Sequence, residues 1–494
     1  MASQTAAEQP AEHKEPSLGG RRLSGLLRFL PVVIGWLAAT LLYWPALDAP
    51  FYADDYIYLR AASLLSWPDY LHAAVVPYTS DPLLLLTNNF WRPLYFLSFK
   101  ALEPAFGDSV APYHLLLLGI HFAGIVTVWA LAMRLSGKAL AAWVATIVFA
   151  VHPAGVESVA WVSALNSAAL PCALGAWLAF AAAAESPHAA RRRWLATLSL
   201  GLLVLAAGFR ETALVVVIAM GAWYLLVPAR TRLRERRAWL PVVALVAFCV
   251  AYEILRTRFL TGPFTSPPQY ELGTKIPGNA WKMVRYGLVP FSTEGQPLLF
   301  ALSNAGGILL AAILAGALLT RRWLLAALLI GFFASVLPFA PLRVGLGARY
   351  FYFPSAFLAL ALGQSAVELA GLARPRFAER TTWIGAGVVM AVVLVVFVSY
   401  GNHRVRQWEA ETGAAEQAWV DALRAQYPSL PTGGTLYCMN TPLVLALFGD
   451  YNLYPTVSYL YPQLAAAKRI DESQVAVITR QLGPNDRIFA YHAK

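Results

Sequence analysis

Charged side chains are scarce in this chain of 494 residues, because Asp, Glu, Lys and Arg together make up only 13%. Soluble globular proteins carry about a quarter. Hydrophobic residues reach 58%, so the composition excludes a soluble globular protein and indicates an integral membrane protein. The net charge of +11 does not indicate nucleic-acid binding, because the arginines lie mostly in short loops between apolar segments, where positive charge sets membrane orientation.

Cysteine is also scarce. The three cysteines, Cys172, Cys249 and Cys438, have spacings that match neither a metal site nor a disulfide framework. No cleavable signal peptide is recognised at the start of the chain. Residues 1–24 are predicted to form a disordered cytoplasmic tail, and the apolar run after them is long enough to span a membrane.

Long apolar runs dominate the rest of the chain. A hydrocarbon core of ~30 Å needs about 20 apolar residues in helical form. Such runs occur near 25–47, 112–133, 139–156, 160–184, 194–208, 212–228, 238–257, 299–319, 323–340, 350–370 and 382–400. The sequence therefore predicts an α-helical polytopic membrane domain over 25–400 with about eleven transmembrane helices.

Positive charge orients these helices. Every second loop is rich in Lys and Arg, which predicts a cytoplasmic N-terminus. The segment 401–494 then lies outside the membrane, and we expect it to form a small extracytoplasmic α/β domain, with a polar helix over 404–427 and strands near 434–439 and 486–492. The first outer loop, about 49–111, contains two stretches, 55–65 and 90–100, that are predicted to form amphipathic helices in the interface.

The outer face of this arrangement carries polar residues of both signs, which are costly at a membrane edge and usually functional. The sequence ADDYIYLR at 53–60 places Asp54 and Asp55 there. Two carboxylates this close couple their titrations and suit a general base or a divalent-cation site. A cap for the following helix is the structural alternative.

Two further outer turns carry candidates. His152 and Glu157 lie in HPAGVESVAWVS, where Glu157 is either functional or a favourable helix-start residue. Arg210 and Glu211 lie between two short apolar runs, either as an ion pair at a hairpin tip or as a pair that binds a ligand or braces the site.

A late outer turn contains Arg343, Arg349 and Tyr350. Arginine binds phosphate with a bidentate fork, and this turn borders the depth of lipid headgroups. An arginine–tyrosine interfacial anchor is the alternative. Weaker candidates of the same type are Arg256, Arg258, Lys275 and Arg285.

The order of these motifs resembles the GT-C class of polytopic glycosyltransferases, most closely its protein O-mannosyltransferase-like members. The resemblance covers about 25–370. It rests on the Asp pair after the first span, RPL at 92–94, HPAGVESVAWVS at 152–163, RETA at 210–213 and RYFYFP at 349–354. The chain differs from these relatives in lacking tetratricopeptide repeats and in having Leu165–Asn166 at a Gly-Arg-like element.

The resemblance implies an inverting transfer at the outer face from a polyprenyl-phosphate sugar to an acceptor hydroxyl. It implies that Asp54 or Asp55 is the catalytic acidic residue, that Arg349 and Arg210 contact the donor phosphate, and that the RPL stretch adds Arg92 to the substrate site. A divalent metal at the Asp pair is compatible with this chemistry but not required.

The expected partners are the lipid-linked sugar, a protein, lipid or glycan acceptor, and membrane lipids, with no nucleic acid. The expected location is the bacterial inner membrane, with the site facing the periplasm. A transporter or flippase of a lipid-linked saccharide, and a non-catalytic membrane assembly factor, are the alternative functions.

Overall fold

The structure is a computed structural model that describes residues 18–75, 91–259, 273–292, 295–342, 347–373, 379–408, 413–442, 445 and 453–491. This part of the chain is mostly helical. The helices are α1 (Leu18–Tyr43), α2 (Asp54–Leu64), α3 (Trp67–Val75), α4 (Pro93–Phe106), α5 (Val110–Ser136), α6 (Ala139–Val151), α7 (Val156–Ala160), α8 (Ala169–Ala184), α9 (Ala189–Phe209), α10 (Val216–Leu226), α11 (Leu240–Phe259), α12 (Lys275–Tyr286), α13 (Pro297–Leu319), α14 (Trp323–Val336), α15 (Tyr352–Ala373), α16 (Glu379–Trp408), α17 (Ala414–Gln426), α18 (Leu453–Leu460) and α19 (Glu472–Thr479). The strands are β1 (Thr435–Met439), β2 (Ala466–Arg469) and β3 (Arg487–Ala490).

Eight segments in the described ranges are helical, long and apolar enough to cross a membrane. They are Arg28–Asp48, Val110–Ser136, Val162–Ala184, Ala189–Phe209, Leu240–Arg258, Pro297–Leu319, Ala348–Leu372 and Gly387–Trp408. A ninth segment, α6 with Pro153–Ala160, is bent by 46°, and two shorter apolar helices cover Glu211–Leu226 and Trp323–Phe339. Each predicted apolar run coincides with one of these segments. The chain is therefore a helical polytopic membrane protein, while the count of eleven crossings stays a prediction because it includes the bent and the short segments.

The bend after α6 has a local cause. Proline disfavours helical geometry at the residue before it, and His152 is accordingly extended, with ψ of 127°. The Nδ1 atom of His152 then accepts a hydrogen bond from the N–H of Ala154 at 3.1 Å, which caps the 3₁₀ turn Pro153–Gly155. The chain turns at this point and continues as α7, which carries Glu157.

Loops that the charge pattern predicts on one side of the membrane contact one another. On the predicted inner side, Arg134 pairs with Glu185 at 2.6 Å, and Arg322 pairs with Glu368. The polar residues predicted on the outer side also meet one another, as described below. These contacts join loops that the charge pattern predicts on the same side, while the assignment of the two faces stays a prediction.

The first long loop differs from its prediction. We expected amphipathic helices in the interface, but eight consecutive residues of α2, Asp55 to Ala62, are buried. Both α4 and α18 pack against α2. The Nζ atom of Lys100 on α4 donates hydrogen bonds to the carbonyl oxygens of Ala62 and Leu65, at 2.6 and 2.7 Å, which satisfies the end of α2. α2 is thus held inside the protein, because a distant C-terminal helix covers it.

The C-terminal part combines helices with a three-stranded parallel sheet of order β2-β1-β3. Leu436 in β1 pairs with Ala467 on one side and with Arg487 on the other. β1 and β3 lie at the two predicted strand positions. The last predicted span does not end at 400, because α16 continues to Trp408, and the predicted helix over 404–427 is divided between α16 and α17. A separate extracytoplasmic domain over 401–494 stays a prediction.

Candidate functional site

Asp55, the second residue of the pair, is fully buried and fully engaged. Its Oδ1 atom accepts hydrogen bonds from the N–H and the O–H of Ser163, at 2.6 and 2.5 Å. Its Oδ2 atom accepts one from the N–H of Tyr52 at 2.9 Å. Burial raises the pKa of Asp55 to about 7, although these hydrogen bonds act to lower it. Asp55 therefore ties the start of α2 to the turn after α7.

Asp54 has different surroundings. It is partly buried, and its carboxylate forms no hydrogen bond with another residue in the described ranges. Burial raises the pKa of Asp54, and the nearby positive charge of Arg349 opposes that rise. Burial and the charge of Asp54 in turn raise the pKa of Tyr58 to about 12. A partly dehydrated carboxylate without a fixed partner is suited to accept a proton.

Glu157 holds the segment that carries Arg349. Its Oε1 atom accepts a hydrogen bond from the N–H of Ala348 at 2.7 Å, and its Oε2 atom accepts one from Nη1 of Arg349 at 2.9 Å. A Cβ atom at Gly347 would stand 2.7 Å from Oε2 of Glu157, so a larger residue there would displace this carboxylate. The two outer turns that the sequence singles out are therefore joined directly.

Aromatic rings surround the guanidinium of Arg349. It lies 4.6 Å from the ring centroid of Trp161 and donates a hydrogen bond to the hydroxyl of Tyr350 at 3.3 Å. Trp161 also contacts Tyr52 and Trp408, with centroids 6.1 and 6.3 Å away. The Arg349 side chain nevertheless keeps 32% of its surface exposed. A fixed and still accessible guanidinium is suited to bind an anion.

Arg92 and Glu211 form a bidentate pair, with Nε to Oε2 at 2.7 Å and Nη2 to Oε1 at 2.6 Å. Glu211 is thus paired with Arg92, and the charge of its neighbour Arg210 also acts on it. Arg210 is 5% exposed, donates to Oδ1 of Asn166 at 3.4 Å and lies over the ring of Phe339. These contacts fix the positions of all three side chains, and phosphate binding by Arg210 stays a prediction.

His152 is buried, and both ring nitrogens contact the backbone. Besides the contact with Ala154, its Nε2 atom lies 3.1 Å from the carbonyl oxygen of Gly287. These contacts hold the His152 ring at the bend after α6, and a role of His152 in binding substrate stays a prediction. Arg343 lies outside the residues that the structure describes.

A cavity of about 590 Å³ adjoins these residues. Glu157, Gly347 and Trp408 line it, and Trp408 also packs against Tyr52, with ring centroids 5.2 Å apart. The cavity therefore lies next to the loop that carries Asp54.

The cavity wall is cationic. Lys282 and Arg285 reach it from α12 and Arg404 from α16, beside the rings of Tyr286 and Tyr400. The Nη1 atom of Arg285 is buried without a hydrogen-bond partner in the described part of the protein. Arg285 was a weak candidate from the sequence, whereas Lys282 and Arg404 were not predicted, because no local pattern places α12 beside α16.

The Asp pair does not fit a metal site well. In the described ranges, no group of three or more His, Cys, Asp or Glu side chains is arranged to hold a metal ion. Hydrogen bonds from Ser163 and Tyr52 already occupy three of the roughly four acceptor positions of the Asp55 carboxylate, which leaves it little capacity for an ion.

Glu416 on α17 is a site residue that the sequence did not indicate. It is fully buried, and its Oε2 atom accepts a hydrogen bond from the N–H of Ala53 at 3.0 Å. Ala53 has a φ of 49°, which residues other than glycine rarely adopt, and it immediately precedes Asp54. A glutamate in a polar helix carries no signal for this role, since its partner lies 363 positions away.

No protein-family model matches the sequence, and no curated protein is detectably similar to it. The resemblance to GT-C glycosyltransferases therefore rests on the order of the motifs, and the function has to be argued from the site.

Proposed function

We propose that this protein is a glycosyltransferase that moves a sugar from a polyprenyl-phosphate donor to an acceptor hydroxyl, with Asp54 as the general base. The observation that carries the proposal is the asymmetry of the Asp pair. Asp55 uses both carboxylate oxygens for hydrogen bonds, whereas Asp54 has none with the described residues and has a raised pKa. A carboxylate that served only the fold would usually accept hydrogen bonds from its neighbours, as Asp55 does.

The cationic cavity supports an anionic donor. Lys282, Arg285 and Arg404 provide positive charge for a lipid phosphate, and aromatic rings provide apolar contact for the attached groups. Arg349 follows the cavity-lining residues Gly347 and Ala348 and also acts electrostatically on Asp54. It can therefore stabilise charge on the phosphate next to the base.

The reaction follows from these positions. The acceptor hydroxyl gives its proton to the Asp54 carboxylate while its oxygen forms a bond to the anomeric carbon. The bond from that carbon to the phosphate oxygen breaks, and the phosphate leaves with the bonding electrons. Attack opposite the leaving group inverts the anomeric configuration. Phosphate is a good leaving group, so no general acid is needed.

We place this reaction at the periplasmic face of a bacterial inner membrane, from the positive-inside pattern. The acceptor, a protein, lipid or glycan, would enter between the first outer loop and the C-terminal part. The contact of Asp108 in that loop with Arg424 and Tyr459 supports a shared surface there.

The test compares the lipids and glycans of cells that express the wild type, Asp54→Asn or Asp48→Asn, measured by mass spectrometry. Asp48 is an exposed aspartate just before the loop, so Asp48→Asn is a matched control. We expect a glycosylated product that disappears only with Asp54→Asn. A flippase would alter the side of the membrane on which a lipid-linked saccharide accumulates without such a product. Equal product in all three strains would refute the proposal.

The donor cavity is tested by binding of a short-chain polyprenyl phosphate to protein in nanodiscs. Replacing both Lys282 and Arg285 by alanine should weaken binding about tenfold or more, the scale of lost hydrogen bonds to charged groups. Arg480→Ala, which removes an exposed positive charge that does not line the cavity, is the control. Unchanged affinity in the double variant would move the phosphate site elsewhere.

A further inference from the structure

Glu416 is costly where it is. A buried carboxyl group loses its hydration, and a hydrophobic residue of similar size is often at least as stable in such a place. Its Oε1 atom is buried and has no hydrogen-bond partner in the described part of the protein. Its Oε2 atom has one, the N–H of Ala53. Stability alone therefore does not explain a glutamate at this position, whereas its hydrogen bond with the N–H of Ala53 does.

That contact fixes the backbone before Asp54. Ala53 has φ 49° and ψ −108°, an unfavourable conformation that persists only where the surroundings hold it. The N–H of Ala53 is held by Glu416, and the N–H of the preceding residue, Tyr52, is held by Asp55. Asp54 is the first residue of α2, so the dihedral angles of Ala53 set the direction in which α2, and with it Asp54, continues from the loop.

The C-terminal part packs on this same loop. A Cβ atom at Gly413, at the start of α17, would stand 2.7 Å from Cγ of Pro50. The ring of Tyr459 on α18 lies 5.9 Å from that of Tyr56 on α2. The position of Glu416 is therefore linked to the docking of the whole segment.

We propose that Glu416 is a positioning residue, through which the docked C-terminal segment orients Asp54 for proton transfer. The kinetic consequence rests on the proposed transferase function, whereas the effect on the Ala53 backbone does not. Burial and the charges of Asp55 and Asp54 raise the pKa of Glu416 to about 8, so its carboxyl group is mostly uncharged near neutral pH. Its role is that of a hydrogen-bond acceptor, which glutamine can also fill.

The test uses Glu416→Gln, which keeps an acceptor oxygen, and Glu416→Met, which keeps an unbranched chain without one. Asp421→Asn, an exposed change on the same helix, is the control. We expect the Gln variant to keep kcat within about threefold and the Met variant to lose about tenfold or more, the scale of a misplaced catalytic group. KM for the donor should change little, because the cavity cations are untouched. A Met variant with the wild-type kcat would overturn the proposal, and so would a Gln variant as slow as the Met variant.

Hydrogen exchange of the peptide over 50–58 gives a second readout that needs no activity. The Met variant should exchange the Ala53 amide faster, while the Gln variant and the control should match the wild type. Should the Met variant fail to fold, Gly413→Ala displaces α17 from Pro50 and should also speed exchange. Unchanged exchange in the folded variants would refute the positioning role. A wild type without transferase activity but with these exchange differences would refute only the proposed function.

Discussion

The two adjacent aspartates should respond in opposite ways to the same substitution. Asp54→Asn removes no hydrogen bond to the described residues and removes a charge whose burial is unfavourable, so it should not lower the free energy of unfolding. The rate of transfer should fall about a hundredfold or more, because the variant lacks the general base.

Asp55→Asn should mainly destabilise the protein. Three donor groups converge on the Asp55 carboxylate, and the asparagine amide offers one oxygen and an NH₂ group that faces at least one of them. Losing one hydrogen bond and leaving a buried donor unsatisfied costs about 2–4 kcal/mol. Removing a buried charge offsets part of this cost, because the pKa of Asp55 is about 7.

The assay pairs initial rates on a short-chain polyprenyl-phosphate sugar with thermal unfolding in detergent. The wild-type kcat/KM should fall with decreasing pH, because a general base works only when it is deprotonated. The fall should begin above the ordinary aspartate pKa of 3.8, because burial raises the pKa of Asp54. The residual activity of Asp54→Asn should lack this dependence. Full activity of Asp54→Asn, or unchanged stability of Asp55→Asn, would refute the assignment of roles.

Three further predictions concern orientation, the donor and stability. A reporter fused after Lys494 should be active outside the membrane and one within 229–237 inside, and inverted results would overturn the face assignment. Arg349→Ala should bind polyprenyl phosphate more weakly than the wild type, with Arg349→Lys between them, and equal affinity in all three would leave Arg349 as a brace for Glu157. The difference in melting temperature between Glu416→Gln and the wild type should change in favour of Glu416→Gln as the pH rises from about 5.5 to about 8.5. The reason is that burial raises the folded-state pKa of Glu416 from 4.5 to about 8, so the wild type loses stability as the pH rises through this window. A constant difference would mean that the carboxyl group does not titrate there.

The helices could be predicted from the sequence because the length of an apolar run is a local property. Each predicted run coincides with a helical segment, and the strands at 434–439 and 486–492 appear as β1 and β3. The bend at His152 also has a local cause, since proline restricts the residue before it. The interfacial prediction for 55–65 failed for α2, because the burial of that helix depends on a segment nearly 400 residues away.

The sequence by itself determined that two carboxylates stand after the first span, because adjacent residues are adjacent in any fold. Only the tertiary structure decided that Asp55 is engaged and Asp54 is not, since Ser163 reaches only one of them. Likewise, only the packing of distant elements joined Glu157 to Arg349 and brought Glu416 to Ala53. Hydrogen bonds, burial and the pKa shifts they cause depend on such distant neighbours, which no local pattern in a single sequence specifies.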